Sequence, residues 1–160
     1  MLIFLDTEFS NLSQPQLISI GLVSEDNQPF YAELNDFDIS GCSDFVKAVV
    51  LPQLGKQPEL VMDTRTLRLH LSAWLQRYSE SGGVIAYDYD GDWPLFQTAL
   101  SETPPWLAHK NIYHEINDLV VEQFFMDTGL SDHHALHDAM ANRFSYRAGH
   151  WMGPESANAI

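Results

Sequence analysis

The sequence predicts an α/β domain built on a mixed sheet. Three observations carry this. The first third holds three strand-like runs separated by short polar stretches. The period of the apolar residues then switches from that of a strand to that of a helix. From there onward helical and strand-like stretches alternate, the order that builds an α/β domain.

The elements follow in order. "MLIFLDTEF", Met1 to Phe9, is nearly continuous in apolar residues, as expected of a strand covered on both faces. "QLISIGLVSE", Gln16 to Glu25, reads as a second strand and "QPFYAEL", Gln28 to Leu34, as a third. "EDNQP" between them is rich in turn residues and predicts a hairpin, so the three form an antiparallel meander. In "DTRTLRLHLSAWLQRY" the residues Leu67, Leu71, Trp74, Leu75 and Tyr78 recur at helical spacing, with Asp63 placed to cap. "GGVIAYD", Gly82 to Asp88, reads as a short buried strand. "WPLFQTAL" reads as a helix with Asp92 as N-cap and Pro94 in its first turn. "KNIYHEI", Lys110 to Ile116, reads as another strand. "NDLVVEQFFMDTG" is a helix opened by Asn117 and closed by Gly129. The last helix runs from about His134 to Ala148 and stops at Gly149, and "HWMGPESANAI" from His150 is irregular. One domain, 1–150, thus precedes a tail, 151–160.

A chain of 160 residues with 45% hydrophobic content is long and apolar enough for one sizeable core. Its single cysteine, Cys42, leaves no internal disulfide and no cysteine-based zinc site, which fits a reducing compartment. "MLIFL" is too short to span a membrane and lacks the flanks of a signal peptide, so a soluble cytoplasmic protein without a membrane partner is expected. There are 22 acidic and 8 basic residues, a net charge of −14, and no Lys/Arg run. That argues against a protein that grips a long duplex through its phosphates.

Three groups of acids stand out. Asp6 and Glu8 are two apart on a strand and therefore side by side on one face, with Phe4 behind them. Adjacent carboxylates repel unless protonated or bridged by a cation. Taken alone, the pair also fits a frayed strand end in water. In "AYDYDGDWPLF", Asp88, Asp90 and Asp92 do not fit a calcium loop, because Trp93 replaces its glycine and Ala99 its closing glutamate. A polar turn is the plain reading of this stretch. Asp92 is the best placed for chemistry, at a helix start that Leu95 and Phe96 anchor to the core. In "SDHHALHDAMANR", His133 and Asp138 are five apart and would not share a face of one helix. They can converge if His133 lies on the preceding loop. Ala135 and Ala139 would let the helix lie close to the sheet, and His134 and His137 read as solvated surface residues. The His137-Asp138 pair also suits all-helical metal phosphohydrolases, but a strand-rich first third argues against that fold.

Together these motifs, D-x-E, then Asp, then H-x-x-x-x-D, resemble the DEDDh exonuclease superfamily, and the resemblance runs from Asp6 to Asp138. "DTEF", "ISIGLV", "AYDYDGD" and "HHALHDAMANR" are most similar to the small bacterial polyadenylate-specific 3′-exoribonucleases of the ribonuclease AS type. Asp88 and Asp90 depart from it, standing where its middle motif has an Asn or an aromatic residue. The resemblance implies a ribonuclease H-like fold and a 3′→5′ exoribonuclease. Such an enzyme hydrolyses single-stranded RNA 3′ ends to nucleoside 5′-monophosphates. The alternatives are a DNA exonuclease of the same superfamily and a non-catalytic nucleic-acid-binding module. Asp6, Glu8, Asp92 and Asp138 would hold two Mg²⁺ or Mn²⁺ ions, His133 would be the general base, and a homodimer is expected. Carboxylates suit these hard cations, and a histidine can take a proton near neutral pH. Phe9 and Tyr87 are candidates for stacking on terminal bases; the alternative for both is a place in the core, which suits Tyr87 equally well.

Overall fold

The computed structural model describes residues 1–151, with side chains through Gly149. It is an α/β domain on one six-stranded mixed sheet of order β4-β3-β2-β1-β5-β6. The strands are β1 (Leu2–Phe9), β2 (Leu17–Ser24), β3 (Pro29–Leu34), β4 (Val61–Met62), β5 (Gly83–Tyr87) and β6 (Leu107–Asn111). The helices are α1 (Thr64–Leu75), α2 (Asp92–Leu100), α3 (Asp118–Thr128) and α4 (Ala135–Trp151). β1, β2 and β3 form the expected antiparallel meander, and β5 pairs parallel to β1 on its other side. The hairpin between β2 and β3 turns through Asn27, a residue type that tolerates its φ of 66°.

Alternation along the strands divides the side chains between two layers. Ile3, Leu5, Ile20, Leu22 and Ile85 join Leu67, Leu71, Leu75 and Phe96 of α1 and α2 in the main core. Phe4, Val23 and Ala86 point to the other face and meet Ala139 of α4. The register pairs Asp6 with Gly21 and Glu8 with Ser19 on that second face. At Gly21 a Cβ would sit 2.3 Å from the backbone of Ala135 and Leu136, so only glycine lets α4 lie directly on the sheet.

Local chemistry explains most boundaries. Asp63 caps α1 by accepting the Thr66 N–H at 2.7 Å. Asn117 caps α3 through the Leu119 N–H, and Gly129 ends it with φ of 67°. Three expectations need correction. Asp92 is the first residue of α2, not its cap; the cap is Gly91, which bonds no side chain to the helix. The strand expected over 110–116 is instead β6, paired in parallel register from Gly83–Leu107 to Tyr87–Asn111. It is an edge strand in which only Leu107 is buried, so it carries no apolar pattern. The apolar residues after it form a 3₁₀ turn (Tyr113–Glu115), with Ile112 in the small cluster under α4. Gly149 does not stop α4, which continues through His150 and Trp151. The rest of the expected tail, 152–160, lies outside the described residues. Among the described residues no helix is long and apolar enough to cross a membrane.

Residues 35–62 carried no prediction. Val61–Met62 form β4, and 35–60 before it form short turns, including a π-helical turn (Val46–Val50) followed by a 3₁₀ turn (Leu51–Gln53).

Candidate metal centre

The chain direction reverses its lateral progress between β1 and β5: β1 leads to β2 on one side, β5 through α2 to β6 on the other. In open α/β sheets ligands bind at such a point, beyond the carboxyl ends of the strands. Here a cleft of about 490 Å³ opens there, with Asp6, Glu8, Asp88, Asp92 and Asp138 in its walls.

Each acid reaches the cleft by a different route. Asp6 and Glu8 come from the α4 face of β1. Asp88 directly follows β5, on the side of Ala86, and its Oδ1 accepts the Asn142 Nδ2–H at 2.8 Å. Asp92 comes from the first turn of α2 and is 1% exposed. Thr7, which points to the α2 face, donates its hydroxyl to Asp92 Oδ1 at 2.6 Å. Asp138 is held by the His134 backbone N–H, 2.9 Å from its Oδ2. The oxygens fall into two groups that share Asp6: Asp6 with Glu8 and Asp138, and Asp6 with Asp88 and Asp92. Within each group one oxygen from each residue lies within 4.8 Å of the others.

Crowding in a shielded site changes the acids' chemistry. Burial, then the charges of Asp92, Asp138, Glu8 and Asp88, raise Asp6 well above the usual carboxylate range. Burial first and Asp138 second push Glu8 up to about 8. Burial also pushes Asp92 and Asp138 to about 7, against the opposing hydrogen bonds from Thr7 and from the His134 N–H. Asp88 is raised for the same first reason. A buried, unpartnered carboxylate oxygen is costly, and Asp92 Oδ2 is one. Five carboxylates with raised pKa values and an orphaned inner oxygen fit hard divalent cations, which take oxygen ligands.

His133 lies on the loop before α4, as expected, and lines the same cleft. Its φ is 55°, and Gln53 Nε2 fixes the loop by donating to the carbonyls of Asp132 and His133, at 2.8 and 3.0 Å. Its ring stands edge-on to Phe45 at 5.0 Å, with Nε2 3.7 Å from Asp132 Oδ2. His137 Nδ1 faces the Ser131 carbonyl at 2.9 Å. His134 is not the solvated residue expected. It is half-buried, sandwiched between Tyr31 and His137 with ring centres 4.5 and 3.9 Å away, and burial holds its imidazole down at about 4.

The aromatic candidates divide. Phe9 lines the cleft, next to a bulge between Glu8 and Phe9 that re-aims its side chain. It stacks on Tyr89, centres 5.9 Å apart and planes 10° apart. Tyr87 does not face the cleft. It is 6% exposed in the main core, stacked beside Trp93, with its hydroxyl 3.1 Å from His109 Nδ1. Strand alternation is the reason: Ala86 and Asp88 share the α4 face, so Tyr87 takes the other.

The same rule was the overlooked signal for Asp88, the last residue of the expected strand, which the spacing had ranked behind Asp92. Asp90 does stand apart, accepting from Asn111 Nδ2 at 2.6 Å. Asn142 follows Asp138 by four residues, one helical turn, and was legible too. Leu12 and Phe45, 79% and 52% exposed at the rim, had no signal, since Leu12 arrives on a loop and Phe45 on the short helical turn before Val46. The chain matches no family model and no curated protein.

Proposed function

We propose that the protein is a 3′→5′ exoribonuclease with a ribonuclease H-like fold, removing nucleoside 5′-monophosphates from single-stranded ends. One observation carries the reading most: the acids converge in two groups around a shared Asp6, beside a histidine on a pinned loop. The meander with β5 added parallel to β1 supports the fold, and the resemblance of "DTEF" and "HHALHDAMANR" carries the choice of RNA.

Asp6, Glu8 and Asp138 would hold one divalent cation, and Asp6, Asp88 and Asp92 a second. Mg²⁺ or Mn²⁺ bound there supplies charge neutralisation at the scissile phosphate and a more acidic attacking water. Thr7 and the His134 N–H keep the Asp92 and Asp138 carboxylates aimed into the cleft. His133 takes the proton from the water as it attacks phosphorus. The bond to the 3′ oxygen of the preceding nucleotide breaks, and that oxygen leaves on the shortened chain and is protonated from solvent. Leu12, Phe9 and Tyr89 offer apolar surface to the terminal bases, which suits an acidic protein that cannot hold many phosphates.

The test is a panel of 3′-labelled oligo-A, oligo-U, mixed RNA and single-stranded DNA with Mn²⁺. The expected product is labelled 5′-monophosphate, formed faster from RNA, and lost in Asp92→Asn and Asp88→Asn. Undiminished hydrolysis by both variants would remove the reading.

A further inference from the structure

The candidate cleft does not end at Phe9. A second, narrow cavity shares Phe9, Leu12 and Tyr89 with it and continues along Pro15 and Leu95. Pro15 and Leu95 in turn belong to a third cavity of about 270 Å³, reaching Phe37, Leu34 and Thr98. The three adjoin one another through these shared residues, in a row that leads from the acids to the α2 residues Leu95 and Thr98 and is called the trough below.

Two features separate this trough from ordinary surface. The first is its entrance. Leu12 is 79% exposed, yet its loop is not loose. Asn11 Oδ1 accepts from the Ser13 N–H, the Ser13 hydroxyl and the Gln14 N–H at 2.8–2.9 Å, and Asn11 Nδ2 donates to the Gly41 carbonyl at 2.9 Å. A large apolar side chain is thus held out in water beside the cleft, against the hydrophobic effect. The second is charge. In a chain with 22 acidic residues, the trough beyond the cleft has one carboxylate among the described residues, Asp36. That group is engaged by the Thr64 N–H and hydroxyl at 2.9 and 3.0 Å. Arg68 is not in its wall, but its guanidinium donates to the carbonyls of two wall residues, Ala99 and Thr98, at 3.2 and 3.4 Å. The other cavity continuous with the cleft contains Asp88 and Asp90 and repels a polyanion.

We propose that the trough from Leu12 to Thr98 seats the nucleotides on the 5′ side of the scissile bond, held by their bases. The inference rests on the exonuclease reading and adds to it a preference for ends several nucleotides long.

Thr98 is exposed, and its hydroxyl only bonds back to the Pro94 carbonyl, so its side chain can be replaced without touching the core. The experiment compares kcat/KM for a hexanucleotide with that for a dinucleotide. Thr98→Glu should lower this ratio about three- to tenfold, and Thr98→Lys should raise it. His114→Glu, in the other cavity, should leave the ratio as in the wild type. An abasic site third from the 3′ end should raise KM of the wild-type enzyme roughly fivefold or more. An unchanged ratio in both Thr98 variants, or a larger loss in His114→Glu than in Thr98→Glu, overturns the trough while leaving the exonuclease reading intact. A wild-type protein that shortens neither substrate overturns both.

Discussion

On one face of the sheet, Ile3, Leu5, Ile20 and Leu22 meet Leu67, Leu71 and Phe96 across a thick apolar layer. On the other, Asp6, Glu8, Ser19, Gly21, Tyr31 and Glu33 follow the same alternation, and α4 lies almost against the backbone through Gly21 and Ala135. The first face stabilises by burying area. The second gives up apolar area to bring α4, with Asp138 and the loop of His133, within reach of β1. Even its buried polar groups are chosen for this: Glu33 is 4% exposed and takes the Gly55 N–H at 2.7 Å and the Tyr31 hydroxyl at 3.2 Å. The difference teaches that stability and site construction are separable by face, so substitutions on each should have different signatures.

The largest expected effect is on rate. His133→Ala should lower turnover roughly 10²–10⁴-fold while Mn²⁺ affinity measured by calorimetry and the melting temperature stay as they are. A lost cation site in that variant would move His133 from proton acceptor to ligand.

Next comes the pH dependence of the cation-free protein. Glu8, at about 8, and Asp92 and Asp138, at about 7, lie above their unfolded values near 4. Between those limits the folded state keeps protons that the unfolded state has released. Stability from these groups is therefore fully present below pH 4 and lost as pH rises to about 8. His134, held at about 4, acts oppositely and costs stability below pH 6.5. The acids are more numerous, so in EDTA the melting temperature should fall between pH 5 and 8. Each kcal/mol so lost corresponds to roughly 2–4 °C. Millimolar Mn²⁺ should restore it at pH 8. Identical melting curves with EDTA and with Mn²⁺ would contradict the reading of the second face.

Leu71→Ala tests the first face. It should cost about 2–5 kcal/mol by denaturant unfolding, and the folded fraction should still bind Mn²⁺. Gly21→Ala should cost about 1–3 kcal/mol, because the added carbon meets backbone rather than a flexible side chain. Unlike Leu71→Ala it should also weaken Mn²⁺ binding, since α4 must shift and carries Asp138. Equal Mn²⁺ affinity in the two variants would erase the distinction between the faces. The smallest effect belongs to His134→Phe. It keeps a ring beside Tyr31, removes a buried Nδ1 with no partner, and should gain about 1 kcal/mol near pH 5 with turnover unchanged.

Much of this was determined by the sequence alone. The apolar run of β1, the spacing of Leu67, Leu71 and Leu75, and the caps Asp63, Asn117 and Gly129 place most elements, because period and capping are local properties. The same locality put Asp6 beside Glu8 and His133 ahead of a helix. Locality also limited the reading. β6 was displaced because an edge strand exposed on most of its length carries no pattern, while the apolar residues after it serve α4 rather than a sheet. Asp88 ranked behind Asp92 until pairing of β5 with β1 brought it beside Asp6. Tyr87 suited the core and a terminal base equally, and the same strand decides for the core. Only the tertiary structure decided that the Thr7 hydroxyl would hold Asp92, 85 residues later in the chain, that Leu12 and Phe45 would line the cleft, and that Gln53 would pin the loop of His133. Such contacts depend on where whole elements dock, and nothing in the spacing of neighbouring residues encodes that.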